Sequence, residues 1–174
     1  PAFEIVCHRI LWSFAFVTFL LIWKNRWQWL QQVRERPATL ITFLGTSGVL
    51  SLNWCIYIWA VNAGHVVDAS LGYFINPLVS VLLGVIFLRE RLRPWQWVAI
   101  GLASGGVIFL TWSYGAFPWI AFTLAISFGS YGLLRKTAPL GALEGLSLES
   151  TILFLPALAY LVYLELTGSA SFGH

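Results

Sequence analysis

ASLGYFINPLVSVLLGVIFL, residues 69–88, is followed at once by RERLR, residues 89–93. Asn76 is the most polar member of the first stretch, and three arginines crowd the second. A helix crossing the roughly 30 Å of hydrocarbon in a bilayer needs about 20 mostly apolar residues. The first stretch has that length, and the second is where such a helix would meet the charged surface. Nothing in it alternates polar with apolar as a barrel strand does, so the reading is a transmembrane helix.

Working outward, five more segments approach this length: Ile5–Trp23, Leu40–Val61, Trp95–Trp112, Phe117–Leu134 and Leu146–Leu164. Composition agrees. Hydrophobic residues are 59% of the 174, charged residues 10%, and the mean hydropathy is +0.79. Soluble domains are about 45–50% apolar and about 25% charged. A globule this apolar has too little polar surface for water, so its main solvent is lipid. The expected fold is an all-α, polytopic membrane bundle of six transmembrane helices. Residue 1 is Pro1 and methionine is absent, so a piece of a longer chain is expected.

Nine of the ten Lys and Arg residues fall in alternate loops. Lys24, Arg26, Arg34 and Arg36 lie in loop 24–37, Arg89, Arg91 and Arg93 in loop 89–94, and Arg135 and Lys136 in loop 135–145. The loops between, 62–68 and 113–116, hold none. By the positive-inside rule the basic loops are expected to be cytoplasmic and residue 1 to start on the outer side. The sequence pI near 9.1 is explained by these membrane-edge charges, so no nucleic-acid partner is expected.

Within the first loop, WQWLQQVRER reads as a short interfacial helix. Pro94 and Pro118 stand where helices begin, where a missing N–H costs nothing. Seven of the ten tryptophans (Trp23, Trp27, Trp29, Trp95, Trp97, Trp112 and Trp119) sit near segment ends and read as interface anchors. Cys7 and Cys55 read as small core residues. Gly101-Leu-Ala-Ser-Gly105 is a GxxxG pattern, read as a site of close helix packing.

The tenth basic residue, Arg9, lies inside the first helix. A charge there costs a few kcal/mol on insertion scales and usually faces protein or a water-filled cavity. Glu4, His8 and Trp12 share one helical face beside it. One reading is a polar mouth that binds a solute group or relays protons, since His titrates near neutral pH. The other is that Glu4 and Arg9 snorkel to the interface. In the second segment Asn53, Trp54, Tyr57 and Asn62 place amides, an indole and a phenol in an apolar run. In the third, Tyr73, Asn76, Pro77, Ser80 and Gly84 share a face, and Pro77 has no N–H to give the carbonyl one turn earlier. These positions either line a cavity or bond helix to helix. Glu149, about a turn into the last segment, is a further candidate unless solvent reaches it. No catalytic motif, metal-ligand spacing or cofactor loop is present, so neither enzyme activity nor a metal or cofactor is expected.

The stretch Glu149–Pro156 can be laid faintly against His8–Ala15, in opposite membrane directions, as an inverted repeat requires. His8-Arg9-Ile-Leu-Trp12-Ser13, Asn53-Trp54, Ile58-Trp59-Ala-Val-Asn62 and above all Ala69-Ser-Leu-Gly-Tyr73-Phe-Ile-Asn76-Pro77-Leu resemble the RarD group of the EamA family, in the drug/metabolite transporter superfamily. Leu83-Gly-Val-Ile-Phe-Leu-Arg-Glu90-Arg, followed by Gly101 and Gly105-Gly106, is similar to the wider EamA pattern. The resemblance implies two inverted five-helix repeats. Residues 1–112 would be the rest of a first repeat lacking its first helix, and 117–174 the start of a second lacking its last three. It implies a bacterial inner-membrane transporter of a small metabolite or drug-like solute, working by alternating access. His8, Arg9, Asn53, Trp54, Asn62, Tyr73, Asn76 and Pro77 are the positions it would turn toward a central cavity. The expected partners are the lipid bilayer and the solute, with proton or ion coupling in place of ATP. The rival from another class is a structural or assembly subunit without a transport cycle.

Overall fold

A computed structural model describes residues 2–25 and 27–168, so Pro1, Arg26 and 169–174, with His174, lie outside the described residues. Every regular element described is helical: α1 Ala2–Lys24, α2 Trp29–Glu35, α3 Pro37–Asn62, α4 Val66–Leu88, α5 Pro94–Tyr114, α6 Trp119–Thr137 and α7 Ala142–Leu166. Of these, α1, α3, α4, α5 and α7 are long and apolar enough to cross a membrane. The interfacial helix appears as α2. The sixth expected span, α6, has 19 residues but carries Ser127, Ser130, Arg135 and Lys136, and does not reach the same apolarity.

Except for α6, which starts at Trp119 rather than Phe117, the membrane-length helices begin earlier than the apolar segments do. α4 starts at Val66 rather than Ala69, and α7 at Ala142 rather than Leu146. An apolar run marks hydrocarbon, whereas a helix continues into the interface wherever polar first-turn residues suit it. Asp68 and Glu144 occupy those first turns, where the positive end of the helix dipole favours a carboxylate. Pro94 opens α5, and the Arg93 N–H donates to Gln96 Oε1 at 2.7 Å. Between α3 and α4 the chain turns at Gly64, whose φ of +84° is the left-handed region that glycine enters without strain.

The chain divides into two compact units, one formed by residues 1–58 and 137–174, the other by residues 59–136. In the first, α1 lies along α7. Val6 and Ile10, from the start of α1, cluster with Ile58 and with Ala157 from the later part of α7. Leu21, from the far end of α1, clusters with Trp29, Phe43, Leu140 and Leu148. The two helices therefore run antiparallel. Cys7 and Cys55 are free thiols packed against the first cluster, in the core role expected of them.

Trp29 departs from the anchoring role. It is only 6% exposed and belongs to the second cluster, because α2 turns that indole inward. Trp23, Trp95 and Trp112 are 76%, 82% and 85% exposed, as interface anchors should be.

In the second unit α4 packs on α6 through Leu71, Ile75, Ala121 and Ala125. A Cβ built on Gly72 would stand 3.3 Å from both Ala121 O and Leu124 Cβ, and one on Gly129 would stand 3.0 Å from Val79 Cγ1. These glycines make the close helix approach. The GxxxG glycines of α5 do not: Gly101, Gly105 and Gly106 have open space where a Cβ would be. The spacing was legible, but only the packing decides which small residues meet a backbone.

Past the end of α4, Arg89 takes a left-handed conformation (φ 53°) and the chain doubles back. The Glu90 N–H donates to Gly84 O at 3.3 Å, and the Glu90 carboxylate lies where a Gly84 side chain would be. The same carboxylate pairs with Lys136 at the end of α6.

Candidate functional site

The first unit holds two groups of polar side chains at different levels. Near the start of α1, Arg9 is solvent-exposed and its guanidinium carbon lies 4.3 Å from the centre of the Trp54 ring on α3. That is inside the ~6 Å range of a cation–π contact. Asn53, next to Trp54, is buried at 8% exposure, while His8, Trp54 and Tyr57 are half-buried. Glu4 is buried at the same end. The ring sits against the guanidinium while Arg9 stays exposed, and the N–H groups of a guanidinium form a donor edge. That edge matches a carboxylate or amide oxygen pair. Trp12, one turn further along α1, is 73% exposed.

The second group lies toward the opposite end of α1 and α7. Glu149 is 1% exposed, and its Oε1 accepts a hydrogen bond from the Thr46 hydroxyl at 2.7 Å. The four residues Ser147, Leu148, Glu149 and Ser150 are all buried, so a whole turn of α7 is enclosed. Glu149 is thus a sealed carboxyl, which a solvated position near a helix end would not produce. Ser47, beside Thr46, is also buried, and its hydroxyl has no hydrogen-bond partner. Sequence reasoning missed Thr46 and Ser47. The available signal was the buried stripe Thr39, Phe43, Thr46, Leu50 and Asn53, spaced three or four apart along α3.

In the second unit the candidates are more open. Asn62 and Pro77 are exposed, Tyr73 is 62% exposed, and Asn76 is half-buried. The Ser80 hydroxyl donates to Asn76 Oδ1 at 3.3 Å, one turn along the helix. Pro77 sits within α4, which continues through it. The buried face of α4 is a different one, made of Asp68, Ala69, Leu71, Gly72 and Ile75. Of the expected face only Gly84 is buried, beneath Glu90. Arg9 and Trp54 are candidates in direct contact, and Glu149 bonds Thr46, a residue outside the expected set.

Comparison with known proteins adds the lineage. Residues 1–112 match the model of the EamA-like transporter family. The chain is 49% identical over 172 residues to "Protein RarD" of Streptomyces exfoliatus, covering 98% of this chain and 54% of that protein. It is 47% identical to "Uncharacterized transporter YojE" of Bacillus subtilis (strain 168), covering 94% and 56%. It is 42% identical to "Protein RarD" of Escherichia coli (strain K12), covering 100% and 58%. The chain thus spans little more than half the length of these relatives. No solved structure matches it. With its apolar helices and this match to RarD proteins over nearly its whole length, the chain is a multi-pass membrane protein that belongs to the EamA-like transporter family.

Proposed function

We propose that the chain is part of a secondary transporter that moves a small metabolite or drug-like solute across the bacterial inner membrane by alternating access. The observation that carries this reading is the Arg9 guanidinium laid on the Trp54 ring inside two apolar helices. An ionisable group at such a depth is expensive and marks a solute or ion path by default. Arg9 and His8 suit a carboxylate or a proton, and Asn53, Tyr57, Asn62, Tyr73 and Asn76 suit an amide or planar portion. Residues 1–112 supply the rest of a first repeat without its first helix and 117–174 begin a second, with the basic loops cytoplasmic. The family match and the transporter-named relatives support the activity. The chain carries no phosphate-binding loop, so coupling runs through an ion gradient or exchange.

The test is uptake by the full-length protein in proteoliposomes, screened against metabolites that shift its thermal stability. Arg9→Ala and, separately, Asn76→Ala are expected to reduce uptake of the solute at least tenfold while the protein stays folded. Unchanged uptake in His8→Ala and Asn76→Ala for every solute transported would defeat the cavity assignment. Failure of the intact protein to move any solute would favour a structural subunit instead.

A further inference from the structure

At the end of the second unit that carries no Lys or Arg, α4 and α5 leave a cavity of about 380 Å³ between them. Its walls are apolar: Val67, Leu71 and Phe74 from α4 and Leu110 from α5. Three of these walls are open at the surface, with Val67 65%, Phe74 67% and Leu110 46% exposed. The polar part is small and one-sided. It consists of Asp68, 7% exposed, with Ser70 and Ser113. The Ser70 hydroxyl donates to Val66 O at 2.8 Å, so its remaining capacity is to accept. Asp68 carries a carboxylate whose neighbour is His65 Nδ1 at 3.4 Å. Every polar side chain lining the cavity can therefore receive a hydrogen bond, and one of them bears negative charge.

The level of the cavity along the helices is also marked. Asp68 lies in the first turn of α4, and Ser113 next to the last residue of α5. The Trp59 ring lies 5.9 Å from His65 and 6.1 Å from Trp119 at this same end. Paired indoles at helix ends belong to the headgroup zone.

From the acceptor-lined pocket of Asp68, Ser70 and Ser113 above an open apolar groove, we infer a binding site for a membrane lipid whose headgroup carries an ammonium, of the phosphatidylethanolamine kind. The ammonium donates to Asp68 and the two hydroxyls, and an acyl chain lies against Val67, Phe74 and Leu110. Charge selects among lipids. An anionic headgroup would meet Asp68 with no Lys or Arg in loops 62–68 or 113–116 to compensate. Neither the side of the membrane nor a transport cycle enters this inference.

The full-length protein, purified from a vesicle mixture of equal phosphatidylethanolamine and phosphatidylglycerol, is analysed by native mass spectrometry for retained lipid. Wild type is expected to retain the ethanolamine lipid preferentially, and Asp68→Asn to lower that preference about tenfold, as loss of a charge-assisted hydrogen bond would. Leu110→Trp fills the groove from an exposed position and is expected to lower retention of both lipids. It serves alone should Asp68→Asn fail to fold. Equal retention of the two lipids by wild type would overturn the assignment, as would retention unchanged in either folded variant.

Discussion

At one level of the α1–α3–α7 unit Arg9 lies exposed against the Trp54 ring, while at the other Glu149 is 1% exposed and held by Thr46. Both are charged-type residues inside helices long enough to span hydrocarbon, and by composition alone they pose the same problem. The solutions differ. Arg9 spreads its charge over an aromatic face and keeps its donors accessible. Glu149 is enclosed by a complete buried turn and bonded across to α3. The first arrangement is open at the surface; the second is enclosed by the helices around it. The α1–α7 pair places them toward opposite ends of the same two helices.

The contrast breaks most easily at the sealed level, where the largest effect is expected. Trp29→Ala empties a position that is 6% exposed and packed on Leu21, Phe43 and Leu148. It should cost about 3–5 kcal/mol, read from denaturant unfolding of the full-length protein in micelles. A loss below about 1 kcal/mol would mean that Trp29 is the surface anchor its place near a segment end first indicates. Next, Thr46→Val removes a donor from an enclosed carboxylate without changing shape and should cost about 1–3 kcal/mol. Glu149→Gln sharpens the point, since it keeps the Thr46 bond and removes the charge. It should leave the melting temperature within about 3 °C.

At the open level the effects on stability are smaller. A double-mutant cycle of Arg9→Gln and Trp54→Leu should return a coupling of about 0.5–1 kcal/mol, the value for an exposed cation–π pair. A coupling near 3 kcal/mol would show the pair to be sealed like Glu149. Trp12→Ala, at a position 73% exposed, should change stability by no more than about 0.5 kcal/mol.

Much of this architecture was legible in the sequence. Helix number and approximate extent follow from apolar length, since hydrocarbon thickness admits few alternatives. Arg9 stood out because the other basic residues were already explained by loop position. Three things were not legible, and each depends on what a residue faces. Trp29 has the composition of an anchor, but the turn after α1 aims it inward. Gly101 and Gly105 have the spacing of a packing motif, but Gly72 and Gly129 do the packing. Thr46 looks like a neutral interruption in an apolar helix until α7 brings Glu149 to it. Periodicity gives the face on which a side chain lies, and it is silent on the neighbour that face will meet.

The Glu90–Lys136 pair bears on how the chain is made as well as how it stands. As a nascent segment leaves the insertion machinery, its Lys and Arg residues fix which way it points, and acidic residues contribute little to that decision. Under the positive-inside rule Lys136 would act as a topological signal before α6 has packed. Once α4 and α6 are side by side, Glu90 claims it and the same ammonium becomes a clasp between two helix ends. One charge could serve the two events in succession, and in the finished fold Lys136→Gln would unclasp the two helix ends.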